Sequence, residues 1–121
     1  MLPSLIEFLE HIQQQAAYIV RRSKDLDYDT FLNHDDLPRA FERSLEIIGE
    51  ATKQLPSDFT TQYSNIQWRG MARLRDRLIH HYFGTDYEVL WEIVANDLPQ
   101  LHEKIADVID DVKNGGYTPK V

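Results

Sequence analysis

The chain of 121 residues has no cysteine, so it has neither a disulfide framework nor a thiolate metal site. It has no apolar run of about 18 residues, and no membrane span is expected. The first residues place Glu7, Glu10 and His11 among apolar neighbours and lack a basic opening stretch, which is unlike a secretory leader. A cytoplasmic protein is the expectation. Lysine and arginine are short as well, 13 against 20 acidic residues for a net charge of −7. That balance argues against general affinity for nucleic acid, which needs a cationic excess. There is no glycine-rich phosphate loop, because Gly115-Gly116 reads as a helix stop, and no Gly-x-Ser-x-Gly nucleophile motif. His11, His34 and His102 are scattered on different segments with no ligand spacing and read as surface or cap residues. The adjacent His80 and His81 would point about 100° apart on a helix, so no metal site and no cofactor is expected.

What is present is helical patterning throughout, with 42% hydrophobic and 11% aromatic residues to fill one core. Leu5, Leu9, Ile12, Ala16, Ile19 and Val20 recur at three- and four-residue spacing and predict a first helix from Pro3 to Arg22. The polar break Asp25–Asp29 follows, where Asp27 or Asp29 can cap a short helical turn. A second helix is predicted over 35–54, striped by Leu37, Phe41, Leu45, Ile48, Thr52 and Leu55, with Pro38 tolerated in its first turn. Leu55-Pro56 stops it. A third helix is expected over 66–81, with a weaker helical turn before it and Gly84 as its stop. Asp86 can cap a fourth, carrying Val89, Leu90, Ile93, Val94, Leu98, Leu101, Ile105, Val108 and Ile109. Pro99 should kink or divide this helix near Asn96-Asp97. No repeat, low-complexity tract or period-two strand is visible. The expectation is one all-α domain over 1–121, an up-and-down bundle of four to five helices with residues 113–121 as a flexible tail.

The segment Arg75-Asp76-Arg77-Leu78-Ile79-His80-His81-Tyr82 stands apart. On an unbroken helix Trp68, Met71, Ala72, Leu78, Ile79 and Tyr82 share one side and Arg75 falls among them. An arginine aimed into an apolar contact needs a carboxylate, a phosphate or a second subunit. Arg69, Arg73, Arg75 and Arg77 against Asp76 give a local +3 in an otherwise acidic chain. Each residue also has a plainer reading. Arg75 could bridge to Glu42, Glu46 or Glu50. His80 could cap the helix C-terminus. Asp76 could pair with Arg73 or Arg77, and Tyr82 could be a half-buried aromatic.

Arg75, His80 and Tyr82 resemble the Arg-x4-His-x-Tyr motif of HepT-like proteins, within the HEPN superfamily of helical ribonucleases. Glu46-Ile47-Ile48-Gly49-Glu50-Ala51 is similar to the family's second-helix segment. His81–Tyr87 and Leu90–Pro99 are similar to its motif exit and last helix, so the resemblance spans nearly the whole chain. It implies a homodimer whose cleft unites two motifs, and metal-independent cleavage of RNA. Arg75 would face the scissile phosphate and His80 would serve as acid or base, counted from Arg75 and from the His-x-Tyr register; counting from Asp76 would select His81 instead. Asp76 would orient the imidazole, a place where many family members carry Asn. Arg69, Arg73, Arg77 and His81 would hold RNA phosphates. It further implies a toxin of the type VII (HepT/MntA) kind, silenced by an MntA-type nucleotidyltransferase antitoxin that uses ATP to transfer AMP to the motif tyrosine, here Tyr82. The alternative is a non-catalytic helical subunit that binds such a nucleotidyltransferase and serves as its substrate; a weaker one is a structural dimer without ligand.

On a straight helix Arg75 and His80 would stand about 140° apart. Either the helix unwinds before Gly84 and swings His80 round, or two chains pair through the third helix so that Arg75 of one meets His80 of the other.

Overall fold

Local signals at helix starts set the architecture. The computed structural model describes residues 4–80 and 84–119, and for His80 the backbone. Helix α1 (Leu5–Ser23) begins at Ser4, whose hydroxyl accepts the Glu7 amide at 3.2 Å. Helix α2 (Tyr28–Asn33) is capped by Asp27, which accepts the Thr30 amide at 2.8 Å. Helix α3 (Leu37–Lys53) carries Pro38 in its first turn, and its leading amides find an uncommon partner. His34 Nδ1 accepts from the Asp36 and Leu37 amides at 3.3 Å each, so the expected cap role of this histidine is met. Helix α4 (Ser57–Gln62) is the short turn expected after Pro56.

The predicted stripes are the core. Leu9, Ile12, Ala16 and Ile19 of α1 face Leu37, Phe41, Leu45 and Ile48 of α3, all buried. α1 packs against α3 on one side and, on the other, against α8 (Leu98–Lys113), which buries Leu98, Leu101, Ile105, Val108 and Ile109. Phe31 of α2 stacks on Phe41 with centroids 5.6 Å apart and closes one end. The molecule is an all-α bundle, as expected.

The third helix departs from expectation. It is two short helices, α5 (Trp68–Ala72) and α6 (Leu74–Leu78), bent at Arg73 (φ −98°, ψ 10°). The hydrogen-bond ladder runs through the bend, from the Arg73 amide to Arg69 O at 3.2 Å and from the Arg77 amide to Arg73 O at 3.0 Å. Met71, Leu74 and Leu78 stand at i, i+3 and i+7, the spacing of one helix face. They form the buried face, and Arg75 is exposed rather than embedded in it. Ile79, expected in the stripe, is 51% exposed. The helix ends at Leu78. Ile79–His80 (β1) then pairs antiparallel with Gly84–Thr85 (β2), Ile79 opposite Thr85 and His80 opposite Gly84. Gly84, read as a helix stop, instead takes φ +79° in this hairpin, where glycine is favoured.

Asp86 caps α7 (Tyr87–Glu92), accepting from the Glu88 and Val89 amides at 3.1 and 3.2 Å. A π-helical turn, Ile93–Asp97, joins α7 to α8. It falls where the sequence predicted a kink. Pro99 has no amide to donate back along the helix, and the wider turn before it absorbs that loss. At the other end of α8, Gly115 (φ +84°) lets its own amide reach Val112 O at 3.2 Å, and the Gly116 amide reaches Asp111 O at 2.8 Å. The segment expected as a tail from residue 113 is anchored through Tyr117. Its ring meets Phe59 edge-on at 5.2 Å and its hydroxyl donates to Asp58 at 3.0 Å. Tyr63 donates to Asp111 at 2.5 Å, and burial followed by this bond pushes its phenol up to about 12.

α3 and the α5–α6 segment meet at Gly49. A Cβ there would stand 3.3 Å from Met71 O and 3.9 Å from Leu74 Cβ, so glycine permits the close approach. Gly49→Val is expected to destabilise the fold by about 1–3 kcal/mol through overpacking, read as a lower urea midpoint. Gly49→Ala should fall nearer neutral, because about 1 kcal/mol of helix propensity opposes the tight contact. A Val variant with unchanged stability would show that α5–α6 is free to move away.

Candidate active site on the α6–β1 segment

The burial of Met71, Leu74 and Leu78 dictates what the rest of the segment shows to solvent. Arg69, Arg73, Arg75, Asp76 and Arg77 are all exposed. Arg69, Arg73 and Arg77 are one turn apart along the ladder and share one side. Arg75 stands about 160° from Arg77 at 100° per residue and presents its guanidinium on a different side.

Arg75 makes no ion pair with a described residue. The three carboxylates that could have held it are engaged elsewhere. Glu46 meets Arg43 at 3.4 Å and Glu50 meets Lys53 at 3.5 Å. Glu42 accepts from the hydroxyls of Thr85 and Tyr87, the latter at 3.4 Å. Burial first, and the Glu42 carboxylate second, raise the Tyr87 phenol above its ordinary range, so it stays protonated and donates. The salt-bridge reading of Arg75 therefore fails, and so does the premise that Arg75 is buried. It is an exposed cation with no ion-pair partner among the described residues.

Asp76 does not pair with Arg77. Arg77 Nη1 lies 3.3 Å from Asp97 Oδ2, at the end of the π-helical turn. Asp97 had no local sequence signal as a partner, since it is 20 residues away. Only the predicted irregularity before Pro99 marked its neighbourhood. Of the arginines proposed to hold phosphate, Arg77 is thus tethered, while Arg69 and Arg73 make no ion pair with a described residue.

The described part of His80 is its backbone, on β1, past the end of α6. The helix ends before His80, earlier than the unwinding expected just ahead of Gly84. His81 and Tyr82 lie outside the described residues. A depression of about 410 Å³ opens between α1 and α3, bordered by His11, Ile47 and Gln54, and contains none of the motif residues. Among the described residues no group of three or more His, Asp or Glu side chains gathers, and no helix is long and apolar enough to cross a membrane.

A helical bundle with cations gathered where one helix gives way to a hairpin is an arrangement suited to anionic ligands. Comparison with known proteins identifies the class. Residues 5–108 match the "Ribonuclease HepT-like" family. The chain is 45% identical over 106 residues, 88% of each protein, to "Putative RNase MJ0127" of Methanocaldococcus jannaschii. It is 40% identical over 106 residues to "Putative RNase TTE0752" of Caldanaerobacter subterraneus subsp. tengcongensis, covering 88% of this chain and 95% of the relative. It is 43% identical over 98 residues to "Probable ribonuclease HepT" of Thermococcus cleftensis, covering 81% and 89%. No solved structure matches at a comparable level. The chain belongs to the HepT-like ribonuclease family.

The Arg77–Asp97 pair has side chains 40% and 34% exposed, so water screens it. Asp97→Ala is expected to cost no more than about 1 kcal/mol in chemical denaturation. A loss of about 3 kcal/mol or more would mark the pair as desolvated and structural.

Proposed function

We propose that this chain is the toxin of a type VII toxin–antitoxin pair, an endoribonuclease that cuts RNA without a metal ion at a composite site in a homodimer cleft. The observation that carries the reading is Arg75, exposed and without an ion pair among the described residues, five residues before His80 in a chain of the HepT-like ribonuclease family. Asp76, one helical turn before His80 in sequence, orients the imidazole.

The chemistry needs few parts. The ribose 2′-oxygen attacks the adjacent phosphorus and the bond to the 5′-oxygen breaks, leaving a cyclic phosphate and a 5′-hydroxyl. His80 takes the 2′-hydroxyl proton or gives one to the departing 5′-oxygen, a task suited to a group that titrates near neutrality. Arg75 offers two parallel N–H donors to the equatorial oxygens as negative charge builds there. Arg69, Arg73, Arg77 and His81 hold flanking phosphates. Dependence on the 2′-hydroxyl restricts cleavage to RNA. The open face around α6 supports a cleft completed by a second chain, and two such faces together offset the net charge of −7.

In a composite site Arg75 comes from one chain and His80 from the other. Arg75→Ala and His80→Ala are each expected to lower cleavage by about 10²-fold or more, and activity should persist in chelator. Mixing the two inactive variants should restore part of the activity, because a mixed dimer holds one intact site. Failure of the mixture to recover, with dimers confirmed by light scattering, would place both residues in one chain's site.

Tyr82, two residues after His80, is the proposed acceptor of AMP from the partner nucleotidyltransferase. The added phosphate would occupy the arginine-rich face and exclude RNA. Intact-mass measurement after incubation with the nucleotidyltransferase and ATP should show AMP on the wild type and none on Tyr82→Phe. A mass gain that survives in Tyr82→Phe would move the acceptor elsewhere.

A further inference from the structure

The hairpin that carries His80 is weakly held by its own means. β1 and β2 are two residues each, and a two-stranded pair is marginal in water. Ile79, the apolar residue of β1, is 51% exposed and fixes little by burial. The Asp86 amide donates to Leu78 O at 2.7 Å and closes the base of the hairpin. Beyond that bond, the side-chain hydrogen bonds among the described residues that tie the return side to α3 run to one carboxylate. Glu42, half-buried on α3, accepts from Thr85 Oγ1 on β2 through one oxygen and from Tyr87 Oη on α7 through the other, at 3.4 Å for the second. Among the described residues no lysine, arginine or histidine makes an ion pair with Glu42, so hydroxyls alone take up its charge. Thr85 is the residue opposite Ile79 in the pairing, next to the His80–Gly84 pair. The Tyr87 ring packs edge-on against Phe31 at 6.5 Å, which holds its hydroxyl in place.

We propose that Glu42 is a positioning residue. Its carboxylate clamps the β1–β2 hairpin to α3, and so sets where its own chain's His80 stands in the cleft, while Arg75 is fixed separately by α6 through Leu74 and Leu78. The proposal rests on the assignment of His80 as the acid–base group. Glu42 touches no reacting atom. It acts by holding two hydroxyls, and the charge itself is not what the clamp needs. A glutamine preserves both contacts: its carbonyl accepts from one hydroxyl, and its amide donates to the oxygen of the other.

Two readouts test this on the full chain. The first is steady-state cleavage of an RNA oligonucleotide. Glu42→Ala is expected to lower kcat by about 10- to 100-fold, since a misplacement of about 1 Å costs about that much, with KM within about 3-fold because the arginines are untouched. Glu42→Gln should recover kcat to within about 3-fold. Thr85→Val combined with Tyr87→Phe removes the two donors with little change of shape. It should reproduce the loss, which keeps the idea testable if Glu42→Ala fails to fold. The second readout needs no activity. Amide exchange at Asp86, the closing bond of the hairpin, should quicken by about 10-fold or more in Glu42→Ala and return in Glu42→Gln. Unchanged kcat in the Thr85–Tyr87 double variant would overturn the proposal, as would Glu42→Gln failing as badly as Glu42→Ala, which would make the charge the active element. Unchanged Asp86 exchange would overturn it too. If wild type cleaves no RNA at all, the ribonuclease reading falls, while Asp86 exchange still reports whether the clamp holds the hairpin.

Discussion

The close contact of α3 with the α5–α6 segment at Gly49 governs the functional half of this molecule. With Met71 O within 3.3 Å of where a Cβ would be, there is one way to lay the segment down. Met71, Leu74 and Leu78 go inward, and the intervening arginines have nowhere to go but out. Burying an unpaired guanidinium would cost several kcal/mol, against about 1.5–3 kcal/mol gained by burying a leucine. Met71, Leu74 and Leu78, at i, i+3 and i+7, satisfy both demands, since they form one buried face and Arg75 falls outside it. Two turns before Gly49 on α3, Glu42 accepts a hydrogen bond from Thr85 of β2.

Electrostatics follows from this arrangement. A chain with net charge −7 repels RNA at a distance, yet four arginines lie within nine residues on the outward side of α5–α6. The structure spends little of that charge on itself. Arg77 meets Asp97, but the other three make no ion pair with a described residue. Exposed arginines contribute almost nothing to stability in water, so their concentration here is better accounted for by a ligand than by the fold. An acidic body with a small cationic face selects a ligand that can reach that face and disfavours long duplex, whose phosphates would also meet the acidic surfaces.

Much of the bundle was legible because helix starts and stripes are local. Asp27 caps at one of the two positions that side-chain chemistry picks out, and Asp86 does the same for α7, whereas the Ser4 cap replaces a start expected at Pro3. The stripe from Leu37 to Leu55 is buried along its length. What was not legible depends on contacts distant in sequence. Leu74 is the exception: it stands three residues after Met71 and four before Leu78, a spacing visible in the sequence, but a stripe centred on Arg75 passes it over. The β1–β2 pair was invisible because two-residue strands carry no periodicity to read. Pro99 announced an irregularity near Asn96-Asp97, but a proline can be met by a kink, a break or a π-turn, and the choice depends on packing. The proposed site was legible as a motif. Its premise, an arginine forced into an apolar face, did not hold, and the exposed Arg75 strengthens the ligand reading by a different route.

The unwinding after Leu78 also bears on how one short segment can be both a working site and a point of control. A histidine in the last turn of a helix would be held by the ladder and by the dipole at that end. On a short hairpin it is held by far less, and its position becomes a separate variable from that of Arg75. Such a segment can be displaced or covered at small energetic cost, because few buried contacts must be broken. The bundle itself has its core complete without Ile79 and β1, so a change in the hairpin need not disturb it. The helices present the arginines to solvent, while Ile79 of β1 is half exposed and adds little to the core.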